Sequence, residues 1–108
     1  ADPNQSFGGA PQANAPQLLI IGGNNRGREH PLHFGDNSIG RGGDNDVILA
    51  DIAVSRKHTI VCWENGQFIL RDLGSGNGTK VNDVRVSEQK LEERDVVDIG
   101  TIALQGAN

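Results

Sequence analysis

The sequence contains no methionine and no tyrosine, and only one cysteine and one tryptophan in 108 residues. Each scarcity removes a class of protein. A lone thiol, Cys62, cannot close an intrachain disulfide or build a metal cluster or redox pair by itself, so an intracellular, cytoplasmic setting is expected. No stretch of about 18 apolar residues is present, so no membrane-spanning helix is encoded. The N-terminus has neither the basic nor the apolar part of a secretion signal. Basic charge is scarce too: 10 Lys and Arg stand against 14 Asp and Glu, a formal charge of −4. A general nucleic-acid or polyanion binder needs the reverse balance, so any anion site must be local. The chain opens on Ala1 rather than methionine, as expected of a processed chain or a piece of something longer. Its length suits one domain with one core, expected to be a monomer in isolation.

Residues 1–16, "ADPNQSFGGAPQANAP", hold three of the four prolines and no aliphatic residue larger than alanine. Such a composition cannot offset the entropy of ordering, and a flexible tail or linker is expected, with the folded domain over 17–108. From Leu18 the pattern changes to short apolar or alternating runs such as "LLII", "PLHF", "NSIG", "DVIL", "HTIVCW", "QFILRD" and "DVVDI", separated by turn formers. Runs of this length are strands, and no convincing helix is visible. The fold class is all-β, a sandwich or barrel. "SEQKLEER", residues 87–94, is the best helical candidate, but its strand-like flanks predict a polar loop.

The stretch "DLGSGNGTK", residues 72–80, raises the question of a nucleotide loop. A P-loop needs its lysine before the Ser/Thr and a helix after it, so that successive amides and the helix N-terminus meet the phosphates. Here threonine precedes lysine, and "KVNDVRV" follows, with Val81 and the Val84/Val86 pair suited to short strands around an "ND" turn. The glycines therefore form a turn between strands. A nucleotide cofactor is not implied.

"VSRKH", residues 54–58, places a hydroxyl (Ser55), a planar five-donor fork (Arg56) and a compact cation (Lys57) on one loop. Upstream, "IGRGGDND" sets Arg41 beside glycines that allow close backbone approach. Arginine plus hydroxyl suits a phosphate monoester, because charge-assisted hydrogen bonds are roughly twice as strong as neutral ones. Ser55 and His58 as nucleophile and base would need a positioned acid and an oxyanion hole, and their spacing gives no reason to face each other. His58 is better read as bracing its loop. His30 and His33 lack a third ligand nearby, and Asp44, Asp46 and Asp51 lack the spacing of a calcium loop. No metal is expected, and the aspartates are assigned to turns.

"GR" at 40–41, "SRKH" at 55–58 and "LGSGNGTKVN" at 73–82 stand in the order and approximate spacing of a forkhead-associated (FHA) domain, which the chain resembles over about residues 17–105. The resemblance implies a sandwich of two twisted sheets with about eleven short strands and binding loops at one end. It implies a phosphothreonine-dependent peptide-binding module, an adaptor in serine/threonine kinase signalling with no catalysis and no cofactor. Its partner is a phosphothreonine-containing protein or peptide, not nucleic acid or membrane. By the same resemblance Arg41, Ser55 and Arg56 hold the phosphate and Asn77 bonds the peptide backbone. Gly40 permits the turn before Arg41, His58 braces the Ser55 loop, and Gly78, Thr79 and Asn82 fix the loop that aims Asn77. Thr59, Val61 and Trp63 face the core, and Ile60 and Cys62 lie outside. Two departures stand out: Asp83 replaces a turn glycine, at small cost, and Ala53, two before Ser55, offers no charged contact to flanking peptide residues. The alternative is an FHA-like structural or oligomerisation domain that no longer needs phosphate.

Overall fold

The computed structural model describes residues 16–107, which form eleven strands. These are β1 (Gln17–Gly22), β2 (Glu29–Pro31), β3 (Asp36–Gly40), β4 (Val47–Ile48), β5 (Thr59–Glu64), β6 (Gln67–Asp72), β7 (Thr79–Val81), β8 (Val84–Val86), β9 (Glu88–Leu91), β10 (Val96–Ile99) and β11 (Ile102–Ala107). One sheet has the order β2-β1-β11-β10-β7-β8 and the other β4-β3-β5-β6-β9. The expected two-sheet sandwich is therefore present, with no helix among the described residues. None of them forms a helix long and apolar enough to cross a membrane.

The alternation that marked the strands also makes the core. Leu18 and Leu104 from one sheet meet Ile39, Val61 and Leu70 from the other, all at most 1% exposed. β1 runs antiparallel to β11 with Gln17 opposite Ala107, so both ends of the described chain lie side by side. The tight β7–β8 turn needs two left-handed residues, supplied by Asn82 (φ 51°) and Asp83 (φ 69°). Aspartate does tolerate the position where a glycine was expected.

Registers bring four strand ends to one pole: Ile39 lies opposite Thr59, and Thr59 opposite Asp72. The Thr59 and Thr79 hydroxyls bond at 2.8 Å, tying the start of β5 to the start of β7 in the other sheet. From this pole emerge the loops 41–46, 49–58 and 73–78.

Four expectations need correction or restriction. "SEQKLEER" is not a loop at its start: Glu88–Leu91 is an edge strand on β6. Its exposed Glu88, Gln89 and Lys90 give no apolar alternation, as befits an edge that must not recruit further strands. "PLHF" is not a strand beyond Pro31, because the Asn37 side chain takes over the His33 backbone, accepting from its N–H at 3.0 Å and donating to its carbonyl at 3.1 Å. Trp63 shares the inward parity of Thr59 and Val61 but is 37% exposed. It lies at the pole opposite the loops, packed edge-on to Phe34 and Phe68 with centroids 4.7 and 4.8 Å away. The sheets splay there around an open cavity lined by Leu18, Leu32 and these three rings, far from the three loops. The expected tail lies outside the described residues except for Pro16.

Ile60 and Cys62 do face outward, yet Cys62 is only 6% exposed. Arg71, opposite Ile60 on β6, donates two bonds to Glu64 (2.8 and 2.9 Å) and one to Glu88 (3.2 Å). Its guanidinium thus crosses the row in which Cys62 sits.

Candidate functional site

Three loops meet at the upper pole, and buried hydrogen bonds fix them to one another. Gly40 ends β3 against the 56–58 segment: a Cβ there would collide with the Arg56 carbonyl oxygen and stand 2.9 Å from Asn45 Nδ2. Close approach rather than turn conformation demands the glycine. The Arg41 amide then donates to the Ser55 carbonyl (2.9 Å) and the Gly42 amide to the Arg56 carbonyl (3.1 Å), so Arg41 and Ser55 leave the framework side by side. Asn45, 7% exposed, donates to the Gly42 and Arg56 carbonyls, both at 2.7 Å. The sequence reading missed it, although an asparagine after "GGD" is a turn signal of the right kind.

His58 is fully buried between two loops. Its Nδ1 accepts from the Ser55 amide at 3.0 Å, so Nε2 carries the hydrogen and donates to the Gly78 carbonyl at 2.8 Å. Both ring nitrogens are consumed by backbone. Neither serves the Ser55 hydroxyl, and the geometry offers no nucleophile–base pair.

The 73–78 loop closes on Asp72. This carboxylate accepts from the Gly74 amide (3.0 Å), the Ser75 amide (3.1 Å), the Ser75 hydroxyl (2.6 Å) and the Thr79 hydroxyl (2.7 Å). Burial works against its charge, but these bonds outweigh burial and hold the carboxyl below its usual range. Because the Thr79 hydroxyl donates to Asp72, its oxygen accepts from Thr59. Ser75 Oγ also accepts from the Gly78 amide at 2.9 Å.

What remains exposed is a set of donors. Ser55 Oγ accepts from the Gly76 amide at 3.2 Å, and among the described residues its own hydrogen has no acceptor. Arg41 spends Nε on the Val54 carbonyl at 3.0 Å, and among the described residues its two terminal nitrogens have no partner. The Arg56 side chain is exposed on the same loop as Ser55. Asn77 donates through Nδ2 to the Ala53 carbonyl at 2.7 Å, which holds its Oδ1 out as an acceptor beside the arginines. The pole therefore presents O–H and guanidinium donors next to one amide acceptor, the complement of a phosphate next to a backbone N–H.

Of the remaining expected residues, Gly78 (φ 81°) ends this loop and Thr79 opens β7 directly after it, but Asn82 lies elsewhere. It sits at the far end of β7, donating to Asp95 (3.0 Å) and accepting from the Val96 amide (3.0 Å). There it fastens the β7–β8 turn to the approach of β10. Asp51 serves its turn as expected, accepting from the Ala53 amide at 3.0 Å and also from Thr101, whereas Asp46 reaches back to β3 and accepts from the Ser38 amide at 2.8 Å. Asp44 pairs with Lys57 at 3.2 Å. No group of three or more metal-ligating side chains occurs among the described residues.

Residues 19–106 match the family model described as the cytoplasmic domain of an inner membrane component of the type III secretion system. The FHA domain-containing protein FhaA of Mycobacterium tuberculosis is 43% identical over 74 residues, covering 68% of this chain and 14% of the relative. The glycogen accumulation regulator GarA of Mycolicibacterium smegmatis is 38% identical over 96 residues, covering 89% of this chain and 60% of GarA. The chain thus spans only part of the length of these relatives. A solved structure from a study of phosphothreonine-dependent FHA domain interactions superposes with a TM-score of 0.80 at 35% identity, over 87% of this chain and 96% of that one.

Proposed function

Because the chain belongs to the forkhead-associated family, we propose that it is a phosphothreonine-dependent peptide-binding module, an intracellular adaptor in serine/threonine kinase signalling. The observation that carries the reading is the Ser55 hydroxyl, fixed as acceptor by Gly76 and so left with its hydrogen to donate, beside the terminal nitrogens of Arg41, which have no partner among the described residues. In this reading Arg41, Ser55 and Arg56 bind the phosphate, and Asn77 Oδ1 accepts from the peptide backbone. His58, Gly40, Gly78 and Thr79 hold these groups in place.

A phosphothreonine carries about −1.5 to −2 charges and can make one to three charge-assisted bonds to such a cluster. At roughly 1.5–3 kcal/mol each, offset by desolvation, losing the phosphate costs about 2–5 kcal/mol, or on the order of 30-fold to a few thousandfold in affinity. That range makes binding a switch. The domain's acidity confines attraction to this one basic notch and disfavours nucleic acid. No reaction is part of the proposal, since both nitrogens of His58 are committed to backbone.

The test is a titration of a degenerate phosphothreonine peptide library, with phosphoserine and unphosphorylated controls, against the protein and Arg41→Ala. Phosphate-dependent binding that drops about 10-fold or more in the variant is expected. Equal binding with and without phosphate would sink the reading and favour a phosphate-independent structural module.

A further inference from the structure

Arg85 lies outside the motifs of the sequence, yet its side chain reaches the binding pole. It pairs across β7–β8 with Lys80, and its guanidinium leans diagonally toward the 73–78 loop. There it occupies the space a side chain on residue 78 would take: a Cβ on Gly78 would stand 2.6 Å from Arg85 Nε, 2.8 Å from its Cζ and 3.1 Å from Nη2. The planar fork therefore rests on the peptide unit next to Asn77.

Its electrostatic position is unusual. Arg85 is exposed and, among the described residues, has neither a hydrogen bond nor an ion pair. Like charges directly across a strand pair disfavour each other, and the nearest cross-strand acid, Asp98, stands opposite Lys80 instead. Among the described residues the arrangement leaves a five-donor cation without an acidic partner, set against the Asn77–Gly78 turn.

We propose that Arg85 reads a carboxylate in the ligand, an Asp or Glu about two to four residues from the phosphothreonine on the side of the peptide that crosses Asn77. The proposal rests on the phosphopeptide reading above and supplies it with a sequence preference. A peptide gripped by its phosphate and held at its backbone by Asn77 advances about 3.3 Å per residue, so a side chain within a few residues comes abreast of Gly78. A guanidinium fork takes a carboxylate there with two parallel bonds. Ala53 carries no charge on the neighbouring loop, so Arg85 is the cation placed to discriminate on this flank.

The test is an anisotropy titration of singly phosphorylated phosphothreonine peptides in which Asp, Ala or Lys is placed at each of four positions on either side of the phosphothreonine. Wild type, Arg85→Ala and Arg85→Glu are compared through the Asp-to-Ala affinity ratio at each position, which cancels the general attraction of the phosphate. An exposed pair of this kind gives about a twofold to fivefold preference for Asp, at positions on one flank only. Arg85→Ala should abolish that preference and Arg85→Glu should turn it toward Lys, while phosphate dependence persists. A flat Asp scan in the wild type, or an unchanged ratio in Arg85→Ala, overturns the role of Arg85 and leaves the phosphothreonine reading standing. Absence of phosphate-dependent binding in the wild type overturns both.

Discussion

The Nε2 of His58 and the carbonyl of Gly78, 20 residues apart in sequence, are joined by a hydrogen bond of 2.8 Å inside the protein. With the opposite ring nitrogen bonded to the Ser55 amide, one imidazole sets the spacing between the loop that carries the Ser55 hydroxyl and the loop that carries Asn77.

His58→Ala removes both bonds and leaves a buried N–H and a buried carbonyl without partners, in addition to a void. A loss of about 2–5 kcal/mol in unfolding free energy is expected by urea titration. His58→Gln, which can still reach one of the two partners, should lose less. Equal stability of the alanine variant and wild type would show that the imidazole braces nothing.

Glycine is demanded at residue 40 by contact and not by backbone angle. Gly40→Ala must push the Arg56 carbonyl and Asn45 away, costing about 1–3 kcal/mol and shifting Arg41 and Ser55 together. Gly43→Ala, whose new Cβ meets nothing within 4 Å, is the internal control and should be close to neutral. Thermal unfolding and phosphopeptide affinity measured on both variants separate the two positions.

Asp72 is held below the usual carboxylate range, so it binds a proton less readily in the folded protein than in the unfolded chain. Its contribution to stability is complete above about pH 4, the ordinary value for aspartate, and declines as pH falls through its lower folded value. Asp72→Asn should flatten that acid limb and lower stability at pH 7 by about 1–2 kcal/mol, moderated by solvent at the partly open carboxylate. Denaturant midpoints between pH 2 and pH 7 provide the readout. An unchanged acid limb in the variant would locate the acid sensitivity elsewhere.

Burial pushes the Cys62 thiol up, with the neighbouring Asp36 carboxylate adding to the effect. The protein should therefore react slowly with a thiol-specific disulfide reagent at pH 8. Arg71→Ala uncovers the sulfur and removes a cation that favours the thiolate. Faster labelling of the variant means that cover, not charge, controls access; slower labelling would mean the opposite.

The strand content of the chain was legible because most strands bury alternate residues, and the candidate site could be named because its residues sit in three short motifs whose loops the fold brings to one pole. What escaped had physical reasons. β9 is an edge strand whose side chains meet water, so no apolar period marks Glu88–Leu91. The inward parity of Trp63 was readable, but its exposure depends on where the sheets part, a property of the whole sandwich. Asn45 acts on Arg56 across 11 residues, and Arg85 acts on Gly78 across a strand pair; neither contact leaves a periodic trace. Asn82 sits within the third motif, yet its bonds run to Asp95 and Val96, so motif membership did not reveal its address.

The pairing of Gln17 with Ala107 has a mechanical meaning. Tension applied through both ends would load the β1–β11 ladder one rung at a time, peeling it like a zipper instead of shearing all rungs together. The loops 41–46, 49–58 and 73–78 lie at the far pole and would feel the load last. Tethered at this end, the domain would yield early at its base while its grip stayed formed.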